Sequence, residues 1–248
     1  MKSAGDKRLR NEIAHGKFLI GHDAGKIWNW ETPAGRLRWR RRVDMLISRI
    51  APGMTVLEIG CGTGYLTKEL ARIPAPVTAI DVSMELLRAA RDGVRSPYVK
   101  FSLSNAYALP FSDRTFNAII GSSALHHLDV SRALREFYRV LRPGGALVFA
   151  EPNMLNPQIM LQKSVPFIKK ALGDSPDETA FFAWRLKRTL IGHGFTGISI
   201  TPVDFLHPRI PAMLLPVFIP LCAAVERVPL VREIAGSLYI RAAKPKSP

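Results

Sequence analysis

The sequence is poor in cysteine, poor in acid, and without a long unbroken apolar run. Its two cysteines, Cys61 and Cys222, have no metal-type spacing and offer no disulfide framework, which favours a reducing compartment. Asp and Glu number 20 against 35 Lys and Arg, for a net charge of +15. Such an excess favours anionic neighbours: nucleic acid, phosphorylated substrates or an acidic membrane surface. The start, MKSAGDKRLRNEIAHG, lacks the apolar core of a signal peptide. The most apolar stretch, Ile210 to Val225, is broken by Pro211, Pro216 and Pro220. A spanning helix needs about 20 apolar residues, so no transmembrane segment is expected. The expectation is a cytoplasmic protein whose contact with a membrane, where there is any, is peripheral. Internal repeats and low-complexity linkers are also missing.

What is present suits one well-buried domain: 248 residues with 47% hydrophobic content. Strand-like runs begin at Met54, Val77, Val99, Phe116 and Ala146, and helical patterns alternate with them. That alternation predicts an α/β fold, a mostly parallel sheet with helices on both faces. In DVSRALREFYRVLR, from Asp129, Ala133, Leu134, Phe137, Val140 and Leu141 share one helical face, and Pro143 to Gly145 end the helix. Ser175 to Glu178, SPDE, reads as a capping box opening a helix through Phe182, Leu186 and Leu190. FTGISITPV and SLYIRAA supply two last strands.

Two regions stand outside the alternation. Residues 1–50 carry 12 Lys and Arg against 5 acids, a local excess of +7. With Thr32 as N-cap and Pro33 as first residue, a helix is predicted there with an apolar edge at Trp39, Val43, Leu46, Ile47 and Ile50. This basic extension is expected to pack on a core domain spanning 51–248. Within that domain, residues 154–174 and 204–235 mix apolar and basic side chains and read as two caps over a substrate entrance.

The stretch VLEIGCGTGYLT, from Val56, places Gly60, Gly62 and Gly64 directly after a strand. A glycine turn between strand and helix lets a ligand approach the backbone, where the helix N-terminus presents free N–H groups. The spacing is G-x-G-x-G, not the G-x-G-x-x-G of dinucleotide folds, and Glu58 precedes it. A carboxylate there would repel a pyrophosphate and attract an ammonium. Asp81, ending the next strand, is placed to accept both hydrogen bonds of a ribose diol. An amino group and a ribose without a diphosphate describe S-adenosylmethionine.

VLEIGCGTGYLT, AIDVS, NAYALPFSDRTFNAIIGSSALHHLDV and LREFYRVLRPGGALVFAEP together resemble the ordered motifs of the class I S-adenosylmethionine-dependent methyltransferases, in their small-molecule, type 11-like branch. The resemblance covers roughly residues 56–153. It implies a Rossmann-like, seven-stranded sheet with one antiparallel strand, cofactor at the carboxyl ends of the first strands, and methyl transfer by direct displacement. By position, Glu58 and the backbone of Gly60, Cys61, Gly62 and Gly64 would hold the methionine part and Asp81 the ribose. Val82 and Met84 would meet the adenine face. Asn105 and Ala106 stand where the family often has an acid and an adjacent N–H for the adenine edge, and an amide oxygen can replace the acid. Ser122 would touch the methionine end.

In LHHL, Leu125 to Leu128, His127 is the first candidate for a base acting on an acceptor hydroxyl, ahead of His126. Glu151, leaving the fifth strand toward the same edge, is the second. No metal site is expected. No NPPY-like run follows the fourth strand, and no cysteine is placed to attack a pyrimidine. The expected acceptor is therefore small, apolar or lipid-linked, methylated at oxygen or carbon, and drawn from an anionic membrane surface. Two alternatives remain: an RNA methyltransferase using Arg36 to Arg42 with Trp39, and a regulatory protein that binds the cofactor without turnover.

Overall fold

The structure is a computed structural model and describes residues 4–21 and 29–246; Lys2, Asp23 and Lys26 of the basic N-terminal run lie outside these. Seven strands form one sheet: β1 (Val56–Ile59), β2 (Val77–Asp81), β3 (Val99–Leu103), β4 (Phe116–Ser122), β5 (Leu141–Pro152), β6 (Thr196–Val203) and β7 (Ser237–Ala243), in the order β3-β2-β1-β4-β5-β7-β6. β7 runs antiparallel to β5 and β6, and the remaining pairs are parallel. The central strand β1 is buried at every position, as expected where helices cover both faces.

Two apolar layers sandwich the sheet. On one face Phe137, Leu134 and Val140 of α5 (Val130–Val140) pack with Leu186 and Leu190 of α8 (Ala183–Gly192) against Ile119 and Phe149. Asp129 caps α5 by accepting from Arg132 N–H at 3.1 Å. On the other face Val43 and Leu46 of α2 (Pro33–Ile47) join Leu66 and Leu70 of α3 (Tyr65–Leu70) over Val56, Ile120 and Val148. Thr32 Oγ1 accepts from Gly35 N–H at 2.9 Å, as its N-cap position predicts. α2 is further tied down by Tyr239 Oη, which donates to Met45 O at 2.6 Å. α1 (Ala4–Gly21) lies on α4 (Met84–Gly93) so closely that a Cβ at Gly16 would sit 2.6 Å from that of Ser83.

Two expectations need correction. Leu141 does not end α5 but begins β5, and Pro143 to Gly145 lie within that strand where its register with β4 shifts. Ser175 to Glu178 open no helix, since α8 starts at Ala183. Ser175 N–H does donate to Glu178 Oε2 at 3.0 Å, half of a capping box, but Ser175 Oγ donates to Glu12 Oε1 at 2.6 Å and leaves the other half unmade. The apolar stretch does form a helix, α9 (Leu215–Val225), with Pro216 in its first turn and Pro220 inside. At 11 residues it is roughly 17 Å long, against a hydrocarbon core of about 30 Å. Among the described residues no helix is long and apolar enough to cross a membrane. Residues 154–174 carry α6 (Pro157–Ser164) and α7 (Pro166–Ala171), and α10 (Pro229–Arg232) follows α9.

Candidate active site

A cavity of about 670 Å³ opens at the carboxyl ends of β1, β2 and β4, the size range of small-molecule sites. Its floor is the turn from β1 into α3. Gly62 has φ +54°, and a Cβ there would meet nothing within 4 Å, so this glycine supplies backbone shape and leaves the space above it open. Gly64 has φ +86°, but a Cβ on it would press within 3.2 Å of Ala90 and Val94; it serves the packing of α4 and does not line the cavity. Cys61 is buried, its thiol pushed up by burial, and its N–H donates to Ile80 O at 3.0 Å.

Two buried carboxylates flank this turn. Glu58 accepts from Thr67 Oγ1 at 2.7 Å, and burial pushes its carboxyl up to about 8, with the charge of Asp81 adding to the effect and the Thr67 bond opposing it. Asp81 accepts from Gly62 N–H at 2.9 Å and Ser83 N–H at 2.8 Å, while burial raises its pKa against those bonds. Both line the cavity, and among the described residues neither forms an ion pair with a basic side chain. Gly60, Val82, Asn105, Ala106 and Ser122 line it as well. Asn105 Oδ1 accepts from Tyr107 N–H at 2.9 Å. Met84 does not line the cavity: it opens α4 at 39% exposure, and Leu86 faces the space instead.

The expectation for Glu151 is overturned by its surroundings. Its carboxylate is fully buried and does not line the cavity. Oε1 accepts from the N–H groups of Ala124 and Leu125 at 3.0 and 2.8 Å, and Oε2 meets His126 Nδ1 at 2.6 Å. Glu151 therefore anchors the short 3₁₀ turn Leu125–His127 from below and is out of reach of an acceptor. His126 is clamped between Glu151 and Glu178, whose Oε1 lies 3.3 Å from Nε2. Burial would lower its pKa, but the bonds and charges of these two carboxylates outweigh it and raise it to about 9. Glu178 is held well below the usual carboxylate range: burial opposes this, and His126, His127 and Lys163 prevail.

His127 does line the cavity, with Nδ1 2.8 Å from Glu12 Oε2 of α1 and its ring stacked 6.0 Å from that of His15. His126, His127 and Glu178 bring one ligand atom each within 4.8 Å of one another. Lys163 already pairs with Glu178 and with Asp174 at 2.8 Å. With a cationic imidazolium and an ammonium set among Glu151, Glu178 and Asp174, the cluster is a network of hydrogen-bonded ion pairs.

Comparison with known proteins assigns this architecture. A methyltransferase domain family matches residues 57–149. The demethylmenaquinone methyltransferase of Corynebacterium urealyticum is 36% identical over 184 residues, 69% of this chain and 70% of that protein. The chain belongs to the class I S-adenosylmethionine-dependent methyltransferases. A Thermotoga maritima structure described as a methyltransferase, possibly acting on histamine nitrogen, shares the fold at TM-score 0.67 and 19% identity, covering 94% of this chain and 99% of that one. The cyclase SpnF superposes at TM-score 0.60 and 25% identity over 88% and 87% of the two chains, so the fold by itself does not name the reaction.

The methyltransferase uses S-adenosylmethionine, and the cavity suits a cation-bearing nucleoside: two buried carboxylates beside a backbone turn that a side chain at Gly62 would fill. Several lining residues escaped the sequence reading. Glu12 and His15 come from the N-terminal helix, whose i, i+3, i+4 spacing was legible but whose destination was not. Arg38 and Arg42 line the cavity from the face of α2 beside its apolar edge. Arg38 grips Asp204 through Nε and Nη2 at 2.8 and 2.7 Å, and Arg41 pairs with Glu226. Trp39 packs edge-on against Trp30, ring centres 4.0 Å apart. Much of the basic and aromatic character of α2 is therefore spent inside the protein, and less of it is free for RNA.

Proposed function

We propose that this methyltransferase methylates a reduced, lipid-linked quinone or a similar apolar ring, at carbon or oxygen, taking it from an anionic membrane surface. The observation that carries this reading is the continuity of the cavity with an unpartnered apolar cap. Ile159 and Leu172 of one cap and Phe205, Leu206 and Pro208 of the other line the cavity. Asn153 Nδ2 donates to Ala235 O at 2.7 Å and Asn156 Nδ2 to Ile234 O at 2.9 Å, which brings the two caps together. Beyond the mouth, Phe167 is 80% exposed, Met213 83% and Leu230 87%, and of α9 only Leu215 is buried. Lys170, Arg209, Arg227 and Arg232 stand exposed among them. Exposed apolar side chains in such number support an interaction site, and the basic residues among them match acidic lipid headgroups. The Corynebacterium relative, named for demethylmenaquinone, agrees with such an acceptor.

In this reading Glu58 faces the ammonium and sulfonium end of the cofactor, Asp81 accepts from the ribose hydroxyls, and Asn105 with Ala106 and Val82 border the adenine. Gly60, Gly62 and Ser122 flank the methionine end. S-adenosylmethionine supplies a methyl group already activated on sulfur. The protein holds the acceptor in line with it, a proximity contribution of roughly 7 to 11 kcal/mol. His127, held by Glu12 and covered by α1, takes the proton that the acceptor gives up as the new bond to carbon or oxygen forms and the carbon–sulfur bond breaks. Closure by α1 keeps water from the reacting centre.

The test is labelled-methyl transfer with demethylmenaquinol in phosphatidylglycerol vesicles, beside short-chain quinols and bulk RNA. Label in the quinol is expected, and label in RNA alone would refute the acceptor assignment. Phe167→Asp with Leu230→Asp should abolish vesicle flotation while leaving cofactor affinity unchanged. Persistent flotation, or a concentration-dependent dimer that the same changes dissolve, would refute membrane contact.

A further inference from the structure

One face of α1 is turned to the cavity. Leu9, Glu12, His15, Gly16 and Leu19 recur on it at helical spacing, so that two polar side chains sit between two leucines. Glu12 is committed: Oε1 accepts from Ser175 Oγ at 2.6 Å, and Oε2 lies 2.8 Å from His127 Nδ1. His15, one turn further on, is not. Among the described residues no hydrogen bond and no ion pair reaches its imidazole. The contacts it makes are near-parallel ring contacts that engage neither nitrogen. Phe18 stacks on it with ring centres 6.1 Å apart and planes at 20°, and His127 at 6.0 Å and 29°.

The polar groups around His15 are otherwise occupied. His126 lies between Glu151 and Glu178, Lys163 pairs with Glu178 and Asp174, and Gln162 Nε2 donates to Asp174 Oδ1 at 3.0 Å. Burial, with neighbouring His127, holds the pKa of His15 below the ordinary imidazole value against the pull of Glu12, Glu178 and Asp174. The ring is therefore neutral at pH 7, with one N–H to give and one lone pair to receive. A half-buried imidazole that lines a cavity and satisfies neither nitrogen within the protein offers both to what enters.

Its place beside His127 indicates what that is. The proton-accepting role set out above brings one oxygen of the acceptor to His127. The His15 ring centre is 6.0 Å from that of His127, comparable to the separation of the two oxygens of a 1,4-diol across a benzene ring. Leu9 and Leu19, on the same helical face, flank the pair with apolar surface for the carbon skeleton.

We propose that His15 receives the second oxygen of the methyl acceptor and makes the enzyme selective for aromatic 1,4-diols over aromatic mono-alcohols. The inference rests on the acceptor reading above and narrows it. A ring diol engages His127 and His15 together, whereas a ring with one hydroxyl leaves the His15 nitrogens without a partner. α1 thus supplies part of the acceptor site as well as covering it.

The test is anaerobic calorimetric titration of the full-length protein, loaded with S-adenosylhomocysteine, with naphthalene-1,4-diol and with 1-naphthol. Wild type is expected to bind the diol roughly five- to twentyfold more tightly, one neutral hydrogen bond on top of the about twofold statistical advantage of two equivalent hydroxyls. His15→Phe keeps a ring in the stack and removes both nitrogens. It should bring the two ligands within about twofold and leave the affinity for 1-naphthol where it was, a pattern that lost packing alone would not give. His15→Gln, which retains a donor and an acceptor, should keep part of the preference. A wild type whose preference is no more than about twofold, or a His15→Phe variant that keeps the full preference, overturns the role of His15 and leaves the apolar-ring acceptor standing. A wild type that binds neither ligand overturns both. Should His15→Phe fail to fold, His15→Leu carries the same expectation, and a full preference there overturns the proposal equally.

Discussion

Glu58→Gln tests the electrostatics of the cavity most directly. Burial pushes the Glu58 carboxyl up to about 8, so at pH 7 the protonated form prevails. A cationic ligand beside it requires the carboxylate, and below pH 8 binding must therefore expel a proton. Each pH unit below 8 costs about 1.4 kcal/mol. Affinity for S-adenosylmethionine is expected to rise about tenfold per unit from pH 6 to 8 and to level off above. Calorimetry at pH 7 in two buffers of different ionisation enthalpy should read close to one proton released. Stability of the unliganded protein runs the other way. The folded state keeps a proton that the unfolded chain gives up above the ordinary value of 4.5, so Tm should fall as pH rises from about 4.5 to about 8, with a slope of up to about 1.4 kcal/mol per unit from this group. Glu58→Gln should flatten both profiles. A wild-type affinity independent of pH between 6 and 8, or a variant that keeps the slope, would refute the placement of positive charge at Glu58.

Glu151→Gln should destabilise the protein by about 3 to 5 kcal/mol in urea unfolding, because a carboxylate paired with His126 and three N–H groups is replaced by a side chain that brings donors of its own; full stability with turnover lost would mean that Glu151 works as a base after all. Arg38→Ala removes a two-pronged, part-buried pair with Asp204 and is expected to cost about 1.5 to 3 kcal/mol, read from the urea midpoint. Asp81→Ala should weaken S-adenosylmethionine binding by about 1 to 3 kcal/mol, and unchanged affinity in the folded variant would remove the ribose assignment. Gly62→Ala and Gly64→Ala should separate: both strain a positive φ, but only Gly64→Ala meets α4, so it should lose more Tm, while Gly62→Ala loses more cofactor affinity for its loss of stability.

The strands, the glycine turn and the acids Glu58 and Asp81 were legible in the sequence because they rest on local rules. A strand buried on both faces must read as an apolar run, a backbone at positive φ calls for glycine, and a polar residue within such a run needs a reason to be there. Thr32 and Asp129 declared their helices by the same local chemistry. Tertiary structure decided the rest. Glu151 read as a candidate base at the carboxyl edge of the sheet, and only the return of the β4 loop over β5 shows three N–H groups converging on it. The SPDE signal was locally sound, yet Ser175 found Glu12, 163 residues away, and Glu178 found His126 and Lys163. Arg38, Arg41 and Arg42 are alike in sequence but have three different fates, decided by what the fold sets opposite each. The sequence by itself determined the sheet, the turn and the cofactor class, since near-neighbour backbone sterics and periodic burial suffice for them. Which charges are paired, which are buried and which face the cavity was decided only by long-range packing, because the energy of a charge depends on groups that meet it in space and not along the chain.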